Sequence, residues 1–585
     1  MKVRMRSVRL TAFLVAMAAG AATTLADLPA VMDKVPADAS MVVAFRNVGA
    51  FAASVQEFTQ TLNLPMGEMG EENPIQAAQK MLALPGIKAD GAMAMIALPD
   101  AQGNFVEDHG VVLVPTTDFD AMAKGLNAEK AGDVWTAEVE GEPLFIKAGQ
   151  GYAILGKDQA LVTSFEMATG SATRFETALG AVGKRIGDTA DMIVILNAAT
   201  MRPMMEEAIG GMGEGFDQMA EAGIPNAEAL TAGVGAMQGA LSAMARDAST
   251  AIVGVSIGSR GLTIDLGGQF AEGSETAASL GGMTDSGVLM GRLPKVDFYF
   301  AGAIDTASPM MQAALKAMGS KDDQSTMKVL GDNADKIGGM SFVVGASPAG
   351  LMGGLLANTA MYTASTNAQG YADAYYGAMK SMDGKTVEGM TYKFTHTPGA
   401  AEVSGSKVDT WQLGIQPDPN DPESMQVMMM QQMLFGPGGM QGMTAVTKSG
   451  MVATMSQNTM LMTQALSAAA SGEGLSTAAD LRTTQAAMPA KRVMEMYLGT
   501  RSILEAVNGA MAMWMGGAEE INISADVAPI GIAMSAEKGG GGLHLHVPMS
   551  SAKAIGEFAK AMQGQFGDME GDAADPMMDD APPRF

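Results

Sequence analysis

Alternating and helical patterns of apolar residues occur twice along the chain in the same order. Residues 142–165 predict a strand, a glycine turn, a second strand and a helix that Asp158 caps. Residues 443–466 predict the same series, with a helix capped by Ser456 or Asn458. The two stretches therefore indicate one structural unit that is present in two copies.

The likeness extends to both sides of this unit. Each copy begins with a Pro-led turn into a strand, continues after the unit to another strand, and ends in a hairpin. In the first and second copies these segments are 35–45 and 293–303 for the opening strand, 192–196 and 493–498 for the later strand, and 251–268 and 523–547 for the hairpin. The distance from the glycine turn to the later strand is nearly equal in the two copies.

The strands occur as neighbouring hairpins, without the regular strand–helix–strand repeat of a parallel sheet. We therefore predict an α+β fold with two related modules, 27–288 and 289–565, each a mainly antiparallel sheet covered by helices. The second module contains an insertion at about 349–442, where long additions to one copy often hold function. Residues 566–585 are acidic and contain prolines, which predicts a disordered tail.

Residues 1–26 have the features of a secretory signal peptide in the usual order. A basic head without acidic residues precedes an apolar stretch from Leu10 to about Ala22, and small residues follow as far as Asp27. At roughly 13 residues, the apolar stretch is shorter than the ~20 that a helix needs to cross a bilayer. We expect a cleaved leader and a periplasmic or extracellular mature protein, with an N-terminal membrane anchor as the alternative.

Composition narrows the possible functions further. The chain has no cysteine, which excludes disulfides, thiolate metal sites, cysteine nucleophiles and a lipid-modified cysteine anchor. Its formal net charge is −26, so we expect neither nucleic acid nor anionic lipid as a partner. Solubility in a crowded envelope explains this charge, and attraction to cations or to a basic partner is the alternative. No later apolar run reaches about 18 residues, so no membrane span is expected after cleavage.

Residues 254–258 match the G-x-S-x-G pattern, in which a nucleophilic serine occupies a sharp turn between a strand and a helix. Here the strand pattern continues through Ser256 into a hairpin, and no helix follows directly. Small residues within a strand explain the match. We therefore do not expect catalysis by Ser256.

The four histidines of the chain are His109, His396, His544 and His546. The last two form His-x-His on a predicted strand, which places both rings on one face. Two such rings can hold part of a zinc or copper site, but no third ligand occurs at a recognisable spacing. We expect an exposed edge strand here, with metal binding as the alternative.

Methionine is abundant, with 55 residues. The densest patch comprises Met425, Met428, Met429, Met430, Met433, Met440 and Met443. Thioethers are soft ligands that suit Cu(I), but methionine also fills cores and adaptable contact surfaces. Because methionine is spread over all the predicted helices, we expect a core or contact role and no bound metal or cofactor.

A carboxylate cluster and two glycine runs partly resemble known ligand sites. The carboxylates Asp418, Asp421 and Glu423 lie near prolines in the insertion, but they lack the ligand order of an EF-hand and predict a solvated loop. The glycine runs 210–215 and 539–542 lack the strand–turn–helix context of a phosphate loop and predict turns.

Three short motifs punctuate the first copy. Residues Pro36–Ala39 lead into a strand, Val114–Phe119 precede a helix, and Gly151–Ala153 form a hairpin. Together with the leader, they resemble a loosely defined group of uncharacterised exported bacterial proteins with duplicated α+β modules. The resemblance implies the fold and the compartment, and this group has no assigned activity.

No pattern in the chain identifies a reaction, a ligand or an oligomeric state. The leading hypothesis is a non-enzymatic periplasmic or envelope protein that binds another protein or a surface. One alternative is a module that binds a small ligand or a soft metal between the two copies. The other is a hydrolase with an unrecognised carboxylate site.

We predict that the mature chain begins at Asp27, because small residues precede this position and end the apolar stretch. Intact-mass measurement of protein recovered from its host would show cleavage after Ala26, or after Ala22 as the alternative. Recovery of the uncleaved chain from membranes would instead support an N-terminal anchor.

Overall fold

The computed structural model describes most of the chain between residues 27 and 572. The described residues are 27–62, 80–139, 141–204, 206, 242–280, 285–319, 326–347, 353–387, 390–417, 424–436, 438–515, 521–537 and 539–572. The predicted leader and the residues after 572 lie outside them.

In this part of the chain, 21 strands form one antiparallel sheet within an α+β fold. The strands are β1 Met41–Phe45, β2 Met93–Pro99, β3 Phe105–Pro115, β4 Glu129–Ala131, β5 Val134–Val139, β6 Glu142–Ala148, β7 Tyr152–Gly156, β8 Met192–Asn197, β9 Ala248–Gly258, β10 Gly261–Phe270, β11 Phe298–Asp305, β12 Ile337–Gly345, β13 Thr359–Ser365, β14 Thr386–Val387, β15 Met390–Val403, β16 Ser406–Pro417, β17 Met440–Thr447, β18 Gly450–Thr454, β19 Met494–Leu498, β20 Ile530–Glu537 and β21 Gly540–Pro548.

The pairing of β10 with β21 lies in the middle of this sheet. Outward from β10 the order is β9, β8, β1, β2, β3, β7, β6, β5 and β4. Outward from β21 it is β20, β19, β11, β12, β13, β18, β17, β16, β15 and β14. We call β1–β10 the first half and β11–β21 the second half.

The helices lie on both faces of the sheet. They are α1 Val48–Thr61, α2 Phe119–Gly125, α3 Gln159–Ser164, α4 Ala172–Thr189, α5 Glu275–Ser279, α6 Gly287–Met290, α7 Pro309–Gly319, α8 Thr326–Asp332, α9 Ala368–Ser381, α10 Ser424–Phe435, α11 Thr459–Ser471, α12 Ala479–Gln485, α13 Thr500–Met515 and α14 Met549–Asp572. Short 3-10 turns span Ala30–Lys34, Ala334–Lys336 and Leu475–Thr477.

Several helix starts follow from the sequence. The Asp158 carboxylate accepts hydrogen bonds from the backbone N–H groups of Ala160 and Leu161 at the start of α3. The Asn458 side chain does the same at the start of α11, which decides between the two predicted caps. Both contacts satisfy N–H groups that have no partner inside their helix. Both stretches therefore contain the predicted strand, turn, strand and capped helix.

One sheet face is covered by α4 in the first half and by α11 and α12 in the second; we call it the α4 face. The opposite face packs against α1 and α14 in the first half and against α9 in the second. Because side chains alternate along a strand, each strand contributes one set of residues to each face. Two layers of core thus share a single sheet.

Glycines in the sheet allow α4 to pack closely on it. The buried residues of α4 recur at helical spacing and include Leu179, Val182 and Ile186. A Cβ atom built on Gly254 would lie 2.5 Å from Cγ2 of Ile186, and one on Gly267 would lie 2.6 Å from Cδ1 of the same side chain. These two positions therefore admit only a residue without a side chain.

The structure corrects the prediction of two separate sheets. The final hairpin of each predicted module presents a strand edge, β10 in one and β21 in the other, and these edges pair along their length. A free edge exposes unpaired N–H and C=O groups, which favours pairing with any compatible strand. Edge pairing of this kind leaves no local pattern in a sequence.

Two predicted segment boundaries also differ. The region 349–442, expected as an insertion, contains β13, α9, β15 and β16, and so is largely part of the sheet and its helical cover. Helix α14 continues to Asp572, so residues 566–572 are helical where the sequence predicts a disordered tail, and residues 573–585 lie outside the described residues. The apolar residues Phe558, Met562 and Phe566 keep helical spacing along the sequence of this helix.

The outer edges of the sheet are protected against further pairing. At one end, β4 has three residues, Glu129–Ala131, and two of them are charged. At the other end, the N–H group of Tyr392 in β15 donates to the carbonyl of Lys385, and that of Phe394 donates to the Asp383 carboxylate. Short or charged edges and occupied N–H groups both discourage edge-to-edge association.

Among the described helices, none combines the length and the hydrophobicity that crossing a bilayer requires.

We predict that Gly254→Ala destabilises the fold by about 1–3 kcal/mol, because the added methyl group overlaps Ile186 and Ala190. Chemical denaturation monitored by circular dichroism would measure the change. Gly258→Ala in the same strand is the matched control, since nothing lies within 4 Å of a Cβ atom at that position. Equal destabilisation by the two substitutions would contradict the packing described.

Candidate functional site

The junction of β10 and β21 contains two histidines that pair across the strands. Nδ1 of His544 lies 2.7 Å from Oδ1 of Asp265, directly opposite on β10. Nδ1 of His546 lies 2.9 Å from Oγ1 of Thr263, which is also its direct neighbour. Both rings are on the α4 face and are buried. The sequence prediction of an exposed edge strand is therefore wrong.

A second buried polar group lies two strands away in β19. The hydroxyl of Tyr497 donates to Oε2 of Glu495 at 2.5 Å, and Nη1 of Arg492 lies 3.4 Å from the same oxygen. The Arg492 guanidinium also faces Asp285, with Nε 3.7 Å from Oδ1. Glu495 is completely buried, so its charge depends on these partners.

The register of the sheet places these groups in one row. Asp265 is opposite His544, His544 is opposite Ala533, and Ala533 is opposite Glu495. The small Ala533 side chain separates the imidazole from the carboxylate. Within the described residues, neither Nε2 of His544 nor Oε1 of Glu495 has a hydrogen-bond partner. We call this row, with Tyr497 and Arg492, the buried polar row.

Burial controls the protonation of the row. It raises the pKa of Glu495, while the Arg492 guanidinium and the Tyr497 hydroxyl act in the opposite direction. Burial also raises the pKa of Tyr497 above its usual range, and the adjacent Glu495 carboxylate adds to this effect. Both shifts favour the uncharged forms of these groups.

The neighbouring His546 responds to burial with a lowered pKa of about 4. Electrostatic interactions with His544 and Arg260 lower the pKa of His546 further, and the interaction with Asp265 opposes them. At neutral pH the His546 ring is therefore uncharged. Its hydrogen bond to Thr263 needs no charge on either partner.

The buried polar row is placed for structure more than for catalysis. It lies beneath the helices of the α4 face, and the cleft of about 690 Å³ is elsewhere, between residues 295–298 and the starts of α11 and α12. The Arg185 guanidinium of α4 donates to Oγ of Ser535 in β20, which ties the first half to the second above the same junction. Among the described residues, no group of three or more His, Asp or Glu side chains could hold a metal ion.

The opposite face of the same strands is apolar and partly uncovered. Along β10, β21, β20, β19, β11, β12 and β13, the residues that point away from α4 include no charged side chain. They are Leu262, Ile264, Leu266, Leu543, Leu545, Val547, Ile530, Ile532, Met534, Met494, Met496, Leu498, Phe300, Gly302, Ile304, Met340, Phe342, Val344, Met361 and Thr363. The packed helices cover only part of this surface.

Six large side chains of this face are between 37% and 43% exposed: Leu266, Leu543, Ile532, Met496, Phe300 and Met361. Five of the six lie on the neighbouring strands β10, β21, β20, β19 and β11, and the partly buried Phe342 of β12 connects them to Met361 on β13, since the cross-strand register runs from Leu545 through Ile532, Met496, Gly302 and Phe342 to Met361. Leu266 is directly opposite Leu543 in the adjoining row. We call these six residues the apolar strip.

The remaining predicted sites are dispersed. Ser256 lies inside β9, and its hydroxyl donates to the carbonyl of Thr189. His109 is in β3, far along the chain from the other histidines. His396 in β15 lies 3.2 Å from Asp409 and stacks on the ring of Tyr376. Because it lies inside a strand, Ser256 does not occupy the strand-to-helix turn of a nucleophile elbow.

The ligand-like loops are only partly described. Asp418, Asp421 and Glu423 and the glycine run 210–215 lie outside the described residues. In the run 539–542, Gly539 has a φ of 77° and forms the predicted turn, whereas the other three glycines belong to β21. A Cβ atom on Gly542 would approach Val182 of α4, so this glycine serves helix packing.

The methionine patch divides between helix and strand. Met425, Met428, Met429, Met430 and Met433 are in α10, while Met440 and Met443 are in β17. Met443 is buried in the core, but Met428, Met429 and Met433 are each at least half exposed. A core role therefore holds for one part of the patch only.

Sequence reasoning missed Asp265, Glu495 and the apolar strip. A signal for Glu495 existed, because a lone carboxylate interrupts the apolar residues of Met494–Leu498. The strip had no such signal, since an exposed and a buried apolar residue read alike in one sequence.

We predict that stability falls as the pH drops from about 6.5 towards 4, in part through His546. Its pKa is lower in the folded than in the unfolded chain, so the unfolded chain binds the proton first and gains stability. The full effect on the free energy of unfolding is roughly 3 kcal/mol. Denaturant titrations of the wild type and of His546→Gln across this range would measure it.

The same titrations with His396→Gln are the control, since that ring is more exposed than His546 and lies in β15, away from the junction. Parallel stability curves for the wild type and His546→Gln would contradict the prediction.

With the geometry established, the chain was compared with known proteins. Protein-family models, curated proteins and solved structures gave no match to it. Function is therefore inferred from this chain's own residues.

Proposed function

We propose that this is an exported, non-enzymatic protein that binds another protein through the apolar strip. The observation that carries the proposal is the combination of continuous exposure with the absence of charge across seven neighbouring strands. Soluble proteins rarely leave large contiguous apolar patches uncovered, and such patches commonly mark interaction sites. Scattered exposed apolar residues would carry no such meaning.

The shape of the strip suits a binding partner with an apolar surface of its own. Its residues stand on a paired sheet, whose backbone is held by neighbours on both sides, so the surface is rigid before binding. A preorganised surface loses little conformational freedom on association. Methionine and phenylalanine, which are enriched in interface cores, supply three of the six members.

The net charge of this chain indicates which residues surround the apolar surface of that partner. The chain carries a net charge of −26, while the strip itself is uncharged. Basic residues around the apolar surface of a partner would be attracted to this acidic chain at long range. The apolar centre of the partner would then be buried against the strip at short range. A second copy of this chain would be repelled at long range, as would an anionic membrane.

The sequence-based expectations about export, location and duplicated modules also form part of this proposal. Export through the leader, a periplasmic or extracellular location and the resemblance to exported proteins with duplicated modules remain proposals based on the sequence motifs. Support for two related modules comes from the strand order, because β9, β8, β1, β2, β3 and β7 follow outward from β10 as β20, β19, β11, β12, β13 and β18 follow outward from β21. If the halves are copies, Asp265 and His544 are equivalent positions that meet at the centre.

The exposed methionines of α10 favour a second contact surface. Met429 and Met433 are one helical turn apart, and both side chains are more than half exposed. Flexible thioethers adapt to varied partners. The cleft of about 690 Å³ lies within the second half and gives no support to a small-ligand site between the two halves.

We predict that a photo-crosslinking residue at position 532 captures a partner protein in the host envelope, whereas one at Met460 does not. Met460 is the matched control because it is an exposed apolar residue on α11, beyond the opposite side of the sheet. Mass spectrometry of the crosslinked product identifies the partner and its contact residues.

Adding Met496→Lys should abolish the crosslink at position 532, because it places a charge at the centre of the strip. Capture of a second copy of the chain would change the identity of the partner and contradict the basic-rim argument. An equal yield from positions 532 and 460, or a crosslink that survives Met496→Lys, would remove the strip as the binding surface.

A further inference from the structure

We propose that Met361 and Met496 form a reversible oxidation site, at which a hydroperoxide converts the apolar strip into a polar surface and releases the partner. The inference rests on the proposed function and adds its regulation. Four members of the strip, Leu266, Leu543, Ile532 and Phe300, are hydrocarbon side chains that hydroperoxides leave unchanged. The two methionines are therefore the reactive members.

Both methionine side chains are accessible from solvent. Each of the two side chains is 40% exposed, although each belongs to a strand in the interior of the sheet. The cross-strand neighbour of Met496 on β11 is Gly302, which has no side chain to cover it. The space that a side chain at position 302 would occupy beside Met496 holds the ring of Phe342.

A single aromatic ring connects the two methionines. Phe342 is directly opposite Met361, and its ring lies over Gly302, since a Cβ atom there would be 2.9 Å from Cε1 of Phe342. The order along the row is thus Met496, the Phe342 ring above Gly302, and Met361. Thioethers pack favourably against aromatic rings, and a sulfoxide loses this apolar contact.

The reaction needs only the thioether and the peroxide. A lone pair of the sulfur attacks the terminal oxygen of the hydroperoxide, the O–O bond breaks, and the S–O bond forms. The remaining oxygen leaves as an alcohol, or as water from hydrogen peroxide, after taking up the hydroxyl proton. Sulfur is oxidised by two electrons and the peroxide is reduced by two.

The consequence for binding follows from desolvation. A sulfoxide oxygen is a strong hydrogen-bond acceptor, and an apolar interface offers it no donor. The chain has no cysteine, so no thiol in it competes for the oxidant. Sulfoxide reductases reverse the change, which makes the site a switch rather than a lesion.

The test exposes the full mature protein to graded hydrogen peroxide and measures two quantities. Peptide mass spectrometry gives the oxidation of each methionine, with Met429 and Met460 as exposed references outside the strip. Photo-crosslinking at position 532 gives partner binding. We expect Met361 and Met496 to oxidise alongside the references and binding to weaken about tenfold.

The double variant Met361→Leu/Met496→Leu keeps the size and hydrophobicity of both side chains while removing the sulfur atoms. We expect it to bind as the wild type does and to resist peroxide, whereas the matched variant Met204→Leu/Met460→Leu, at two exposed methionines outside both proposed contact surfaces, remains sensitive. Reduction by sulfoxide reductases should restore binding in the wild type.

Two results would overturn the inference. One is unoxidised Met361 and Met496 under conditions that fully oxidise the references. The other is loss of binding in the Leu double variant at the same peroxide concentration as in the wild type. If untreated protein forms no crosslink, the proposed function fails by itself, because the oxidation of each methionine is measured without a partner.

Discussion

The antiparallel pairing of β10 with β21 is the constraint on which the architecture depends. Within the described residues it is the strand pairing that joins the first half to the second. Asp265 and His544 hydrogen-bond across it, and Arg185 adds a contact to Ser535 from the helix above. Because burial makes an unpaired charge costly, these partners hold the register of the two strands at the centre of the sheet.

That junction gives the two sides of the central strands different roles. On the α4 face, small residues such as Gly254 and Ala533 let helices approach, and polar side chains are paired beneath them. On the other face the helices stop short and leave the apolar strip. In β19, for example, the Glu495 and Tyr497 side chains lie on the α4 face and the Met496 side chain lies on the opposite face. The buried polar row and the apolar strip therefore include residues of the same strand.

This sharing links stability to the proposed binding. The pKa shifts of Glu495 and His546 arise from burial on the α4 face, where they respond to pH. The strip has no titratable group, so its response is to oxidation of the sulfur in Met361 and Met496. The α4 face thus responds to pH and the opposite face to oxidants, since the first is closed to solvent and the second is open to it.

Local patterns in the sequence determined the elements of this protein. The hairpin and helix capped by Asp158, the hairpin and helix capped by Asn458 and the amphipathic α1 and α14 all follow from turn residues, caps and apolar spacing, which act over a few residues. Only the tertiary structure decided that β10 pairs with β21, that His544 is buried beside Asp265 and that Met496 is exposed. Those outcomes depend on which distant edges and faces meet, because burial is a property of neighbours far apart in the chain and no single stretch of sequence encodes it.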